Sequence, residues 1–184
     1  AIKLRYRLLP YIYSTAWDVC HGGGTFMRAL VMDFASDART HDMGNEYMFG
    51  RSLLATPVLT AQYTPEVARH DKDANAGWDK NTGRVSFENM DKAEFSAPRE
   101  QKMYLPAGTK WYYFHSGKQY DGGQEVTIST PLAEAPFFVR AGAIVPLGPD
   151  VQYTNEKPWD DLEIRLYPGA DGHFTLYEDR GDGY

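Results

Sequence analysis

The sequence predicts a mainly β chain, an antiparallel β-sandwich entered through one helix and one buried strand. Three observations predict it. Thr25 to Phe34, TFMRALVMDF, is almost unbroken apolar residues apart from Arg28 and Asp33, with no Gly or Pro inside. Such a run reads as a strand buried on both faces, because a half-exposed strand alternates. After Lys102 the chain is short strands separated by turn residues, with no helical pattern between them. That rhythm belongs to a sandwich. Finally, a strand buried on both sides needs covering layers, and only one helix precedes it. The strand therefore reads as the last member of a sheet whose other members lie elsewhere, and the chain as the tail end of something larger.

In chain order, residues 1–20 carry apolar residues at Leu4, Leu8, Ile12 and at Leu9, Tyr13, Trp17. This is helical spacing with a broad apolar face. Pro10 should kink or restart the helix, and Gly22-Gly23-Gly24 should end it. After the buried strand and a polar loop, Glu46 to Phe49 is expected as a short turn or helix, and residues 52–59, SLLATPVL, as a second apolar strand. The stretch from about 61 to 101 is polar and charged and reads as an insertion, with one short hairpin around Gly83 to Phe87. Its sparse apolar content makes residues 65–100 the expected most mobile region. Strands follow at MYLP, KWYYF, KQY, QEVTIST, FFVR, AIVPL, LEIRLY and HFTLYE. Val126, Ile128 and Thr130 share one face of their strand. Asp171-Gly172 is a hairpin signal between the last two strands.

Composition narrows the function classes. At 184 residues and 42% hydrophobic, the chain can bury a core. A net charge of -6 without a basic stripe argues against nucleic acid. The single Cys20 excludes an internal disulfide and a Cys-based zinc site. No run approaches the roughly 18 apolar residues of a membrane-spanning helix, and the N-terminus does not look like a signal peptide.

No constellation of residues announces a reaction. His21, His41, His70, His115 and His173 stand apart, without metal-ligand spacing. Gly22-Gly23-Gly24 lacks the Lys-Ser/Thr of a phosphate loop. Glu178 to Gly183 lacks the ligand alternation and downstream Glu of a calcium loop. No serine stands in a G-x-S-x-G frame. Trp111 to Phe114 offers either a sugar-stacking platform or, more simply, core. Glycoside hydrolysis needs two carboxylates, and only Asp33 stands at the end of a buried strand, where an active-site loop of an α/β barrel would begin.

Several segments in order resemble the C-terminal part of glycoside hydrolase family 31, the α-glucosidases and α-xylosidases. They are LRYRLLPYIYS, FMRALVMDF, EYMFGRSLLATPVL, MYLPAGTKWYYFHSGKQYDGG, PLAEAPFFVRAGAIVPLGP and FTLYEDRGDGY. The polar insertion and residues 152–172 look most like bacterial α-xylosidase-type members. The resemblance implies that residues 1–50 end a (β/α)8 catalytic barrel, contributing its last helix and strand. It implies a proximal β-sandwich over 51–175, and the start of a distal one at 176–184. It implies a retaining exo-acting α-glycosidase whose nucleophile and acid/base Asp pair precede Ala1, so no residue here is catalytic. Asp33 and Phe34 begin the loop facing the active-site end and are its candidate substrate-lining residues. Arg28 matches a structural arginine of the eighth barrel strand.

No cofactor or metal is implied. The implied partners are the rest of the barrel, or self-association through residues 1–34, and an oligosaccharide substrate in the full enzyme. Compartment stays open, with a periplasmic or secreted place favoured for an α-xylosidase-type member. The alternative on the residues alone is a free-standing carbohydrate-binding or adhesion sandwich. Residues 1–34 speak against it, since a self-sufficient sandwich has no use for them.

Overall fold

A computed structural model describes residues 2–59, 62–63, 94–96 and 99–181. The hairpin expected near Gly83 lies outside the described residues, as does most of the stretch expected to be mobile. The chain opens with α1 (Ile2–Arg7) and α2 (Leu9–Gly22). The break at Leu8 follows from Pro10, which has no N–H to offer Tyr6 and whose ring crowds that carbonyl. As the second residue of α2, Pro10 sits where a backbone donor lacks an intrahelical acceptor anyway. Gly23 closes α2 with φ of 69°, the left-handed cap that a residue without Cβ takes freely.

Among the described residues ten strands follow: β1 (Met27–Ala29), β2 (Tyr47–Phe49), β3 (Leu53–Ala55), β4 (Glu100–Leu105), β5 (Lys110–Tyr113), β6 (Gln119–Asp121), β7 (Gln124–Ser129), β8 (Phe137–Arg140), β9 (Ile144–Leu147) and β10 (Glu163–Leu166). Six of them form one antiparallel sheet in the order β1-β2-β3-β8-β5-β6. Alternation places its side chains in two separate cores. Leu54, Trp111, Tyr113 and Phe138 face Met103, Leu105, Val126 and Ile128 of the β4–β7 ribbon. Leu53, Phe137 and Val139 face the opposite way, toward Val145, Leu147, Tyr167 and the helical residues Leu8 and Tyr11. The architecture is thus mainly β and antiparallel, a sandwich whose central sheet is covered on both faces.

Three expectations are corrected. Thr25 to Phe34 is not one strand: it is β1, three residues long, followed at once by the single helical turn α3 (Leu30–Asp33). Five residues apart on an extended strand, Arg28 and Asp33 would lie roughly 16 Å apart on opposite faces. Their side chains pair instead, which requires the chain to fold back. Nor is the run left wholly uncovered, since β1 pairs with β2 and Leu30 is completely buried. Met27 and Met32 alone of its large side chains are more than half exposed, at 62% and 52%.

Residues 47–49 are strand rather than turn or helix, because β2 bridges β1 and β3 with Met48 buried beneath it. Asp171-Gly172 makes no hairpin. Neither residue has the positive φ that a primed turn demands. Gly172 instead lets two backbones cross, where any Cβ would strike the Gly142 carbonyl. Residues 173–178 accordingly pair with no strand among the described residues. They lie on α2, with Phe174 stacked on Tyr11 and Tyr177 on Trp17.

Tyr11 ties α2 to the sheet. Its side chain is 1% exposed, and its hydroxyl donates to the Phe49 carbonyl (2.8 Å) and accepts from Ser52 N–H (3.2 Å). Between these, Gly50 turns the chain with φ of 64°, and a Cβ there would collide with the hydroxyl. Tyr11→Phe leaves the packing and removes both hydrogen bonds. It should cost about 2 kcal/mol, measurable as a shift in urea midpoint without a change in slope.

Candidate functional site

The corner after β1 gathers the polar side chains that the sheet places at one end. Arg28 Nε and Nη2 donate to Asp33 Oδ2 and Oδ1 at 2.7 and 3.1 Å, a two-pronged ion pair with both side chains 12% exposed. The planar guanidinium matches the carboxylate edge, and Asp33 keeps the Arg28 charge above its usual range. Phe34, the next residue, turns into the core at 4% exposure. Its ring lies against Trp111 at 5.6 Å, with the Arg140 guanidinium over it at 5.2 Å. Of the two candidate lining residues, one is therefore held by a salt bridge and the other is packed inside.

The loop that leaves Phe34 is fastened to β4 at both ends. Near its start Asp37 accepts from Tyr104 Oη (2.7 Å), Ala107 N–H (2.8 Å) and Arg39 N–H (3.2 Å). Partial burial pushes its carboxyl up, but these donors together hold it below the usual carboxylate range. Tyr104 is pushed up to about 12, by burial first and then by donating to Asp37. Arg39 lies over the Tyr104 ring at 4.2 Å and reaches Glu125 Oε1 at 2.7 Å. Thr40 Oγ1 donates back to the Phe34 carbonyl (3.0 Å).

At the far end of the loop Glu46, 5% exposed, accepts from Tyr104 N–H at 2.8 Å through Oε1. Its Oε2 has no partner among the described residues. Burial pushes this carboxyl up to about 7 against the pull of Tyr104 N–H and Arg39, with Glu125 adding to the rise. Sequence reasoning missed Glu46 as a buried acid. Nothing local marks it, because its burial comes from β4, 58 residues away.

The remaining candidates are structural. Trp111, Tyr113 and Phe114 are core side chains, 8% exposed or less. The half-buried Tyr112 donates its hydroxyl to the Pro168 carbonyl (2.9 Å). His21, His41 and His115 each meet one backbone carbonyl, of Trp17, Ala35 and Ala135. No group of three metal-ligating side chains forms among the described residues. Asp179 in the acidic tail is taken by Tyr13, Tyr177 and Gly181 N–H. No described helix is long and apolar enough to cross a membrane. A cleft of about 290 Å³ beside the helices is lined by Leu4, Leu8, Ile12, Phe49 and Phe137, and not by Asp33, Asp37 or Glu46.

Comparison with known proteins agrees with this architecture. The glycosyl hydrolase family 31 C-terminal domain matches residues 23–71 and 92–145, and the chain belongs to that family. The gap between the two matched segments, residues 72–91, falls inside the polar stretch that the sequence reads as an insertion. An α-xylosidase of Saccharolobus solfataricus is 36% identical over 184 residues, covering 100% of this chain and 20% of its own length. α-Glucosidase 2 of Bacillus thermoamyloliquefaciens is 25% identical, with 100% and 19% covered. The crystal structure of a family 31 α-xylosidase from Xanthomonas citri superposes with a TM-score of 0.74 at 37% identity, covering 99% of this chain and 16% of that one. The chain thus spans about a fifth of the length of the curated relatives it matches.

The Arg28–Asp33 pair is the interaction that fixes the corner. In a double-mutant cycle with Arg28→Met and Asp33→Asn, the coupling energy should be about 1–2 kcal/mol, because both groups are largely withdrawn from water. Chemical denaturation of the four proteins measures it.

Proposed function

We propose that the chain serves as the C-terminal portion of the catalytic unit of a retaining, exo-acting α-glycosidase, an α-xylosidase or α-glucosidase acting on terminal α-linked sugars of oligosaccharides. On this proposal residues 1–50 end a catalytic (β/α)8 barrel, 51–175 form the proximal sandwich, and 176–184 lead into a distal one. Asp33 and Phe34 stand at the active-site end, where they set the direction of the loop that follows. The family match and the names of the relatives support the chemistry. One observation carries the division of labour, namely how the described carboxylates that are not fully exposed are engaged. Asp33, Asp37 and Asp179 accept from Arg28, Tyr104 and Tyr13, and Glu46 from a backbone N–H.

Retaining hydrolysis needs two carboxyl groups roughly 5–5.5 Å apart, one as nucleophile and one as acid/base. The pair is accordingly supplied by barrel segments outside residues 1–184. The purified 184-residue chain should release no aryl alcohol from aryl α-xyloside or aryl α-glucoside above the buffer rate, whereas a polypeptide that adds the barrel should. Turnover that follows the 184-residue chain through repurification would place the chemistry within it.

The same proposal assigns partners. The rest of the barrel, or a second copy of the chain, covers Ile2, Met27 and Met32, which are 74%, 62% and 52% exposed. Burying such side chains stabilises by roughly 1.5–3 kcal/mol each. Sedimentation of the isolated chain should therefore show self-association, weakened by Met27→Lys with Met32→Lys. A strictly monomeric chain at all concentrations would mean that residues 1–34 need no cover beyond their own sandwich.

A further inference from the structure

The loop between Phe34 and Glu46 is held at two points on one residue of β4, and the two points differ in kind. At the first, Asp37 meets three donors, ample for a charged carboxylate. At the second, Glu46 meets one, the Tyr104 N–H, while its other oxygen has no partner among the described residues. Among the described residues β4 pairs with β7 alone, so at the Tyr104 N–H the Glu46 carboxyl does what a neighbouring strand's carbonyl would do. One N–H is too little to hold a buried anion, whereas a neutral acid needs only its carbonyl oxygen satisfied and keeps its proton on the other.

We propose that Glu46 is a proton-dependent latch: protonated, it closes its own end of the loop onto β4, and ionised, it releases that end while Asp37 holds the other. The charged and titratable residues that act on it are Tyr104 of β4, Arg39 of the loop and Glu125 of β7; Asp37, His41 and Asp42 share its loop and Lys102 its facing strand in sequence. Arg39 does not neutralise Glu46, because its guanidinium is spent on Glu125 and on the Tyr104 ring. Asp37 is already ionised and has its donors. His41 is turned to the Ala35 carbonyl at 2.8 Å.

The sign follows from linkage. The carboxyl ionises at about 7 in the folded chain and at about 4.5 when unfolded. The folded state therefore holds a proton that the unfolded state has lost. The latch contribution is fully present below the lower value and disappears as pH rises through the upper one. On release the proton goes to solvent, and the Tyr104 N–H loses its partner.

Amide hydrogen exchange of the 184-residue chain tests this, with protection factors corrected for the intrinsic pH dependence of exchange. Protection at Tyr104 should fall roughly tenfold or more between about pH 5.5 and pH 8.5. Glu46→Gln, which keeps the acceptor and cannot ionise, should hold the pH 5.5 level throughout. His41→Asn should leave the pH dependence in place. Carbon-13 titration of the Glu46 carboxyl in the unaltered chain gives an independent reading, with a midpoint near 7 expected. A midpoint near 4.5, a flat protection profile, or a pH dependence that survives in Glu46→Gln would each overturn the latch.

Discussion

The structure depends on burying both faces of one antiparallel sheet. Successive residues of β8 show the constraint most directly: Phe137 and Val139 enter the core under α2 and β9, while Phe138 enters the core under β4 and β7. A sheet with one wet face would have left every second residue free to be polar. Here neither set is free, so the ribbon on one side and the helices and hairpin on the other are obligatory covers. The polar features of the fold, including the Tyr11 hydroxyl and the loop on β4, exist where those covers must be fastened to the sheet.

This explains which parts of the fold were legible in the sequence. The alternation of Val126, Ile128 and Thr130 reported a strand with one buried face, and all three are 8% exposed or less. Pro10 reported the helix break and Gly23 the helix end, because both act through their own backbone. The rule that an unbroken apolar run means burial on both faces is sound, but it applies to Phe137 to Val139 and Leu53-Leu54. Applied to residues 25–34 it overlooked that an Arg and an Asp five apart can pair only if the chain turns. Gly172 looked like a turn glycine because its real use, admitting the backbone of Gly142, involves a residue 30 positions away.

The candidate site divides in the same way. Asp33 could be named because it ends an apolar run, a local signal. Its engagement with Arg28 needed three dimensions, and so did the burial of Phe34 against Trp111. The family resemblance located the chain within a larger enzyme architecture, which composition and periodicity alone could not have done. Glu46 escaped both approaches. Its neighbours Asn45 and Tyr47 suggest nothing unusual, and its environment is built by residues that arrive with β4.

The clasp between the helix break and β9 bears on the order of assembly. Arg7 and Gly148, 141 residues apart, are joined through the Arg7 carbonyl and guanidinium, and Ser14 is joined to Tyr177 across 163 residues. Closing loops of such length costs entropy that no local contact repays, and contacts this distant in sequence form slowly. During synthesis α2 precedes by more than a hundred residues both β9 and the segment around Tyr177, parts of this chain on which it packs. Within these residues, the element made early completes its contacts late.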